Sequence, residues 1–187
     1  MPSYQSTATI SNDEWSHIAI VVDKPNQAIR FYKNNELIKL INASDLNVLN
    51  AKNELIVGKT NTEFFNGVLD DVRVYDRIIT PDELHSIYNN KFSKNLVLHY
   101  DFEKYDYEND VVSDESLYGN HGFLVNKETE RADFTNDIGK YATSGTAFKA
   151  EVDQFIRIPT STTNYVQGEN LNNCTMTAWV KTSKLQS

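Results

Sequence analysis

The chain has 187 residues, 18 basic against 26 acidic, and a formal net charge of −8. That balance repels polyanions, and no Lys/Arg run offsets it locally, so nucleic acid and anionic membrane surfaces are poor partners. Hydrophobic residues at 40% and aromatics at 11% supply a core, which argues against a disordered chain.

No apolar run approaches the roughly 20 residues of a membrane-spanning helix, and no basic start followed by an apolar stretch marks a signal peptide. Cys174 stands alone, so no internal disulfide forms. His17, His85, His99 and His121 lack paired metal-ligand spacing, which leaves nothing to build a structural zinc site. Glycine (7) and proline (4) are scarce, and asparagine, which tolerates left-handed backbone, is expected to serve many of the turns.

Most of the chain alternates with period two. Residues 15–22 read as a strand with Ile18, Ile20 and Val22 on one face. Residues 28–33 and 36–40 read as a hairpin whose Asn34-Asn35 link suits the positive φ angles of a type I′ turn. Residues 54–57 form a short strand ended by Gly58, and 68–75 a longer one. Alternation along the latter sets Asp70, Val72 and Val74 against Leu69, Asp71, Arg73 and Tyr75.

A helix is expected after Thr80, with Pro81 in its first position and Glu83 closing a capping box. Strands resume at 96–102, 123–125, 146–148, 154–158 and 174–181, with a polar stretch over 103–120 and a charged surface loop over 126–137. Many short strands with one short helix predict an all-β, two-sheet antiparallel sandwich.

Two sets of segments carry a resemblance. Trp15-Ser-His-Ile-Ala-Ile-Val-Val-Asp23, Phe31-Tyr-Lys-Asn-Asn-Glu-Leu-Ile38, Leu55-Ile-Val-Gly58 and Phe65-Asn-Gly-Val-Leu-Asp-Asp-Val-Arg-Val-Tyr-Asp-Arg77 resemble the C-terminal half of laminin-G-like, concanavalin A-like jelly-roll modules. Leu96-Val-Leu-His-Tyr-Asp-Phe102, Asp114-Glu-Ser-Leu-Tyr-Gly-Asn-His-Gly122, Ala147-Phe148 with Asp153-Gln-Phe-Ile156, and Thr175-Met-Thr-Ala-Trp-Val-Lys181 resemble the N-terminal half. The halves thus occur in reversed order.

One reading is a single permuted sandwich over residues 1–187, with 1–93 as the family's C-terminal half and 94–187 as its N-terminal half. The resemblance implies that the strand near Leu96 lies beside the strand near Val68, so a short bridge over 91–95 can join them. The other reading is a slice through a tandem array of repeats, each half completed from elsewhere. Close surface ends are the usual condition for a tolerated permutation, which favours the first.

The same resemblance implies a calcium ion near the start of the fold, and Asp70, Asp101, Asp114 and Asn120 are its candidate ligands, because calcium takes carboxylate and carbonyl oxygens. The competing role for these residues is to hold turns and main-chain amides. Trp179 alternates with Thr175 and Thr177, so that face is a candidate sugar platform, with Tyr32 beside Arg30 as a weaker one. Burial under a loop is the competing role for Trp179.

Laminarinase-like hydrolases use a similar sandwich with a Glu-x-Asp-x-x-Glu strand. Here Glu151-Val-Asp153 supplies two acids and Ile156 occupies the third place, so no enzyme is expected. Two sequons, at Asn42 and Asn173, permit glycosylation in a secretory host. The expected function is a non-catalytic module with calcium-assisted binding of carbohydrate, glycoprotein or protein, extracellular or on a cell or virion surface. The alternative is a structural or adhesive domain that contacts neighbouring subunits.

Overall fold

The computed structural model describes residues 9–43, 55–60, 63–91, 95–125, 134–135, 140, 145–150, 154–159 and 173–183. Its strands are β1 (Ser16–Asp23), β2 (Ala28–Lys33), β3 (Glu36–Asn42), β4 (Leu55–Val57), β5 (Gly67–Tyr75), β6 (Leu96–Tyr100), β7 (Tyr105–Asp106), β8 (Val111–Val112), β9 (Gly122–Val125), β10 (Phe134–Thr135), β11 (Ala147–Ala150), β12 (Phe155–Ile158) and β13 (Asn173–Thr182), with one helix, α1 (Pro81–Tyr88). The strands make two antiparallel sheets. The larger runs β10-β11-β5-β13-β1-β2-β3, with β6 also on β5, and the smaller runs β4-β12-β9-β8-β7.

Strands from the two ends of the chain interleave. β13 pairs with β1 along its length and with β5 on its other side, from Ser16↔Val180 to Thr182↔Gly67. β6 and β11 also pair with β5, and β12 pairs with β4. The neighbouring pair that the resemblance implied, β6 beside β5, is therefore present; residues 92–94 of the short bridge lie outside the described residues.

The main core lies between the sheets. Leu69, Val72 and Val74 of β5 and Cys174 and Val180 of β13 face Val112, Ile156 and Ile158 of the smaller sheet. A second, smaller core lies on the other side of the larger sheet. There Leu84 and Ile87 of α1 pack on Ala19, Val21, Tyr32 and Tyr75. An eight-residue helix is marginal alone, so this docking stabilises it. Its start is fixed as expected: Glu83 N–H donates to Thr80, Thr80 N–H donates to the Glu83 carboxylate, and Arg77 clamps that carboxylate at 2.9 Å through both terminal nitrogens.

The Asn34-Asn35 link has φ of 49° and 69°, as a type I′ turn requires. Asn90 and Asn95 also take positive φ. Three differences from the expected elements stand out. The polar stretch after 103 contains the two-residue strands β7 and β8, and Phe134–Thr135 of the expected 126–137 loop forms β10. Along β5 the simple alternation breaks at Asp71, which takes φ 50°, while the facing register slips between Thr177 and Trp179. This bulge moves Asp70 off the Val72/Val74 face, so Asp70 pairs with Trp179 on the outward side of the larger sheet. Ile156 is fully buried in the main core, and Glu151 and Asp153 lie outside the described residues.

Candidate recognition surface

The outward face of the larger sheet carries the expected sugar platform, and it is closed. Trp179 is 2% exposed, with its ring centroid 5.1 Å from His17 and 5.2 Å from Tyr88, and the Lys140 ammonium 4.4 Å from the ring centre. Thr177 is buried beside it, and Tyr32 is buried under α1 in the second core. Arg30, next to Tyr32, is held by Asp23 at 2.9 Å. Thr175, Thr177 and Trp179 alternate with the inward Cys174, Met176, Ala178 and Val180 as expected, but α1 and Lys140 cover the face of Trp179, which offers no open ring to a sugar.

Beneath this cover lies a buried charged group. Asp71 accepts from Arg73 Nε at 2.7 Å and from His99 Nε2 at 2.8 Å, and Arg73 also donates to Asn90 Oδ1 at 2.7 Å, just beyond the end of α1. Burial acts to raise the Asp71 carboxyl, but the bonds and charges of His99 and Arg73 overcome it and hold the group below its usual value. Among the described residues, Asp70 has no such cation in bonding contact. Burial, with the neighbouring Asp71 charge, pushes it up to about 7 against the donations of Lys140 N–H and Asp71 N–H. Burial lowers His17 to about 4, and its Nδ1 has no partner among the described residues.

These two shifts act on stability with opposite signs. Asp70 ionises near 3.8 when unfolded and near 7 when folded, so between those values the folded chain holds the extra proton and stability falls as pH rises. His17 titrates near 6.5 unfolded and near 4 folded, so in that window the unfolded chain holds the extra proton and stability rises with pH. Each slope reaches about 1.4 kcal/mol per pH unit, and the windows overlap between about pH 4 and 6.5. Urea midpoints across that overlap are expected to be nearly flat for the native chain. Asp70→Asn should uncover a rising profile and His17→Phe a falling one; three parallel profiles would refute this assignment.

The expected calcium ligands do not converge. No group of three or more His, Cys, Asp or Glu side chains placed to hold a metal ion occurs among the described residues. Asp114 accepts from His99 N–H (2.8 Å), Ser116 N–H (2.9 Å), the Ser116 hydroxyl (2.6 Å) and Asn120 N–H (2.7 Å). Four donors use the four lone-pair sites of a carboxylate, so Asp114 has nothing left for a cation. Asp70 bonds two main-chain amides, and Asp101 accepts from Glu103 N–H at 3.1 Å. Of the set, the structure brings only Asp114 and Asn120 together, and it does so to fasten a loop. The Asn120 side chain donates to Val97 O, its own carbonyl accepts from the Tyr100 hydroxyl at 2.7 Å, and Asp114 N–H donates to His121 Nδ1. Gly122 completes the fastening, because a Cβ there would lie 2.5 Å from Ile156 and 2.8 Å from the Tyr100 hydroxyl.

The open face belongs to the smaller sheet. Its pairings place Ile56, Arg157, Phe123, Val111 and Asp106 in one row, strand by strand from β4 to β7. Ile156, Leu124 and Val112 point the other way, into the core, so this row faces outward. Phe123 is 39% exposed and Ile56 38%, and the exposed Arg157 lies between them. In the next row Phe155 pairs with Val125, and the Lys59 ammonium sits 4.5 Å from the Phe155 ring centre and 5.1 Å from that of Phe64. An exposed ring can stack under the C–H face of a sugar while a guanidinium donates to its hydroxyl or carboxylate oxygens. None of these residues was singled out from sequence, although period two in Phe123-Leu-Val125 and Phe155-Ile-Arg-Ile158 already separates inward from outward positions.

Comparison with known proteins agrees with the architecture. No curated protein and no solved structure matches the chain. A laminin G family model, described as the concanavalin A-like lectin/glucanases superfamily, matches residues 2–85. That family supports a carbohydrate- or protein-binding module in general, and its lectin-type members are generally non-catalytic. Two antiparallel sheets with one short helix are consistent with its jelly-roll sandwich, and over residues 2–85 the chain is similar to the concanavalin A-like lectin/glucanases superfamily.

Proposed function

We propose that this chain is a non-catalytic recognition module that binds carbohydrate through the outward face of its smaller sheet, as part of an extracellular, cell-surface or virion protein. The observation that carries the reading is the row Ile56–Arg157–Phe123, an exposed ring and guanidinium on paired strands, set against the closed outward face of the larger sheet. Rigid strands hold such groups at fixed spacing, as a site of few polar contacts requires. A permuted single body is supported by the seat of β13 between β1 and β5.

A glycan array tests the proposal. Binding that Phe123→Ala or Arg157→Ala reduces at least about tenfold, with an unchanged melt, is the expected result; about 1–2 kcal/mol of stacking or charge-assisted bonding corresponds to that factor. Loss with Trp179→Phe but not with Phe123→Ala would move the site back to the larger sheet. The calcium-assisted form of the proposal predicts that EDTA weakens the same binding, and binding that survives EDTA removes the ion.

A second reading rests on β3, the last strand of the larger sheet among the described residues. It exposes Leu37 (53%), Ile38 (37%) and Leu40 (51%). Apolar edge strands pair with neighbouring chains. If the module is structural, the array is blank and the chain forms oligomers in solution that Leu40→Lys dissociates.

A further inference from the structure

A cavity of about 470 Å³ opens between the two sheets, and of the outward row only Ile56 borders it. Its floor is the inward face of β5 and β13, including Val72, Val74, Met176 and Ala178, and its opposite wall is Leu55 and Val57 of β4. Lys59, Thr60 and Glu63, on the crossing from β4 to β5, supply the polar side chains of its lining; Arg73 also borders it, but its guanidinium is bonded to Asp71 and Asn90. Protein interiors rarely leave spaces much larger than a water molecule, and a mostly apolar cleft of this volume lies in the range of pockets that bury small ligands.

We infer that this cavity binds a small amphiphile with an apolar body and one anionic end, of the kind presented by a fatty acid or an aromatic sulfonate. The walls select the body: the aliphatic side chains of two sheets, with the rings of Phe64 and Phe65. Lys59 selects the end group. Its ammonium lies against Phe64, which also lines the cavity, and forms no ion pair with a carboxylate among the described residues. An ammonium resting on ring faces is partly stripped of water, and an anion is its stronger partner. Glu63 on the same rim opposes this, so the preference for an anionic end is modest.

Fluorescence titration of the full chain with 1-anilinonaphthalene-8-sulfonate tests the site. Saturable binding with Kd of about 10–100 μM is expected for a ligand of that size. Dodecanoate should displace it about threefold more effectively than dodecanol, and Lys59→Gln should erase that difference. Ala178→Phe fills the cavity from its floor and should weaken binding at least about tenfold with circular dichroism unchanged; Ala178→Leu is a smaller fill of the same sign should the first variant not fold. Phe123→Ala, on the outward row, should leave this binding intact, so failure here and failure of glycan recognition are separable. Absence of saturable binding, or binding indifferent to both fills at Ala178, overturns the site. Equal displacement by the acid and the alcohol overturns the anionic end.

Discussion

Asp114→Ala is expected to lower the melting midpoint by about 6–12 °C, corresponding to about 3 kcal/mol in a domain of this size. The carboxylate is buried and takes four donors, two on each oxygen. Alanine leaves the His99, Ser116 and Asn120 amides without that acceptor, and the Asn120 amide is buried. A buried donor stripped of its partner costs its full desolvation, which is why the loss exceeds that of one ordinary hydrogen bond. Some of the cost is offset because the loop lies at the surface, where water can reach Ser116.

Asp114→Asn should fall between the native chain and the alanine variant, since its amide oxygen serves one pair of donors while its nitrogen opposes the other. Limited proteolysis gives a local readout. Leu117 is fully exposed at the tip of this loop, and cleavage beside it should accelerate in the alanine variant well before global unfolding. A midpoint shift below about 2 °C with unchanged cleavage would mean that the loop is held by something other than this carboxylate.

The difference between what was legible in sequence and what was not follows from the range of the forces involved. Asn34-Asn35 and the Thr80–Glu83 capping box are set by residues a few positions apart, and both appear in the structure as read. The alternation of Thr175, Thr177 and Trp179 was equally legible because period two is local. Which side of the sheet α1 would cover was not, since that depends on the fit between Leu84 and Ile87 and a face assembled from four strands. The bulge at Asp71 also escaped, because the extra residue is defined against β13, about a hundred positions away. The outward row on the smaller sheet had the same obstacle. Its strands are two to four residues long, and only their mutual register places Arg157 between Ile56 and Phe123. The calcium expectation rested on the resemblance and on where Asp70, Asp101 and Asp114 fall along their strands and turn, and carboxylates that hold turns look the same in sequence as carboxylates that hold ions.

Arg73→Met is expected to destabilise the chain by about 3–5 kcal/mol, the cost of leaving a buried carboxylate without its cation. Arg73 and Asp71 are both at most 5% exposed, and their 2.7 Å contact is joined on Asp71 Oδ1 by His99 at 2.8 Å. Replacing the second charge as well should reverse part of the loss. In Arg73→Met/Asp71→Asn no ionised carboxylate remains in that position, and asparagine tolerates the φ of 50° at residue 71. The double variant should therefore be at least about 1 kcal/mol more stable than Arg73→Met alone, a coupling that a double-mutant cycle reads directly.

Asn90→Gly separates the other function of the arginine. Glycine accepts the positive φ at residue 90 and removes the amide that Arg73 contacts beyond α1, so it should cost only about 1 kcal/mol. Should the double variant be as unstable as Arg73→Met, the penalty would lie in the lost tether to α1 and in packing, and Asn90→Gly would then have to approach the same loss. If the cycle shows the expected coupling, the charged pair stabilises the outward face of the larger sheet, and the bond that an opening of α1 from that face would break is Arg73 to Asn90.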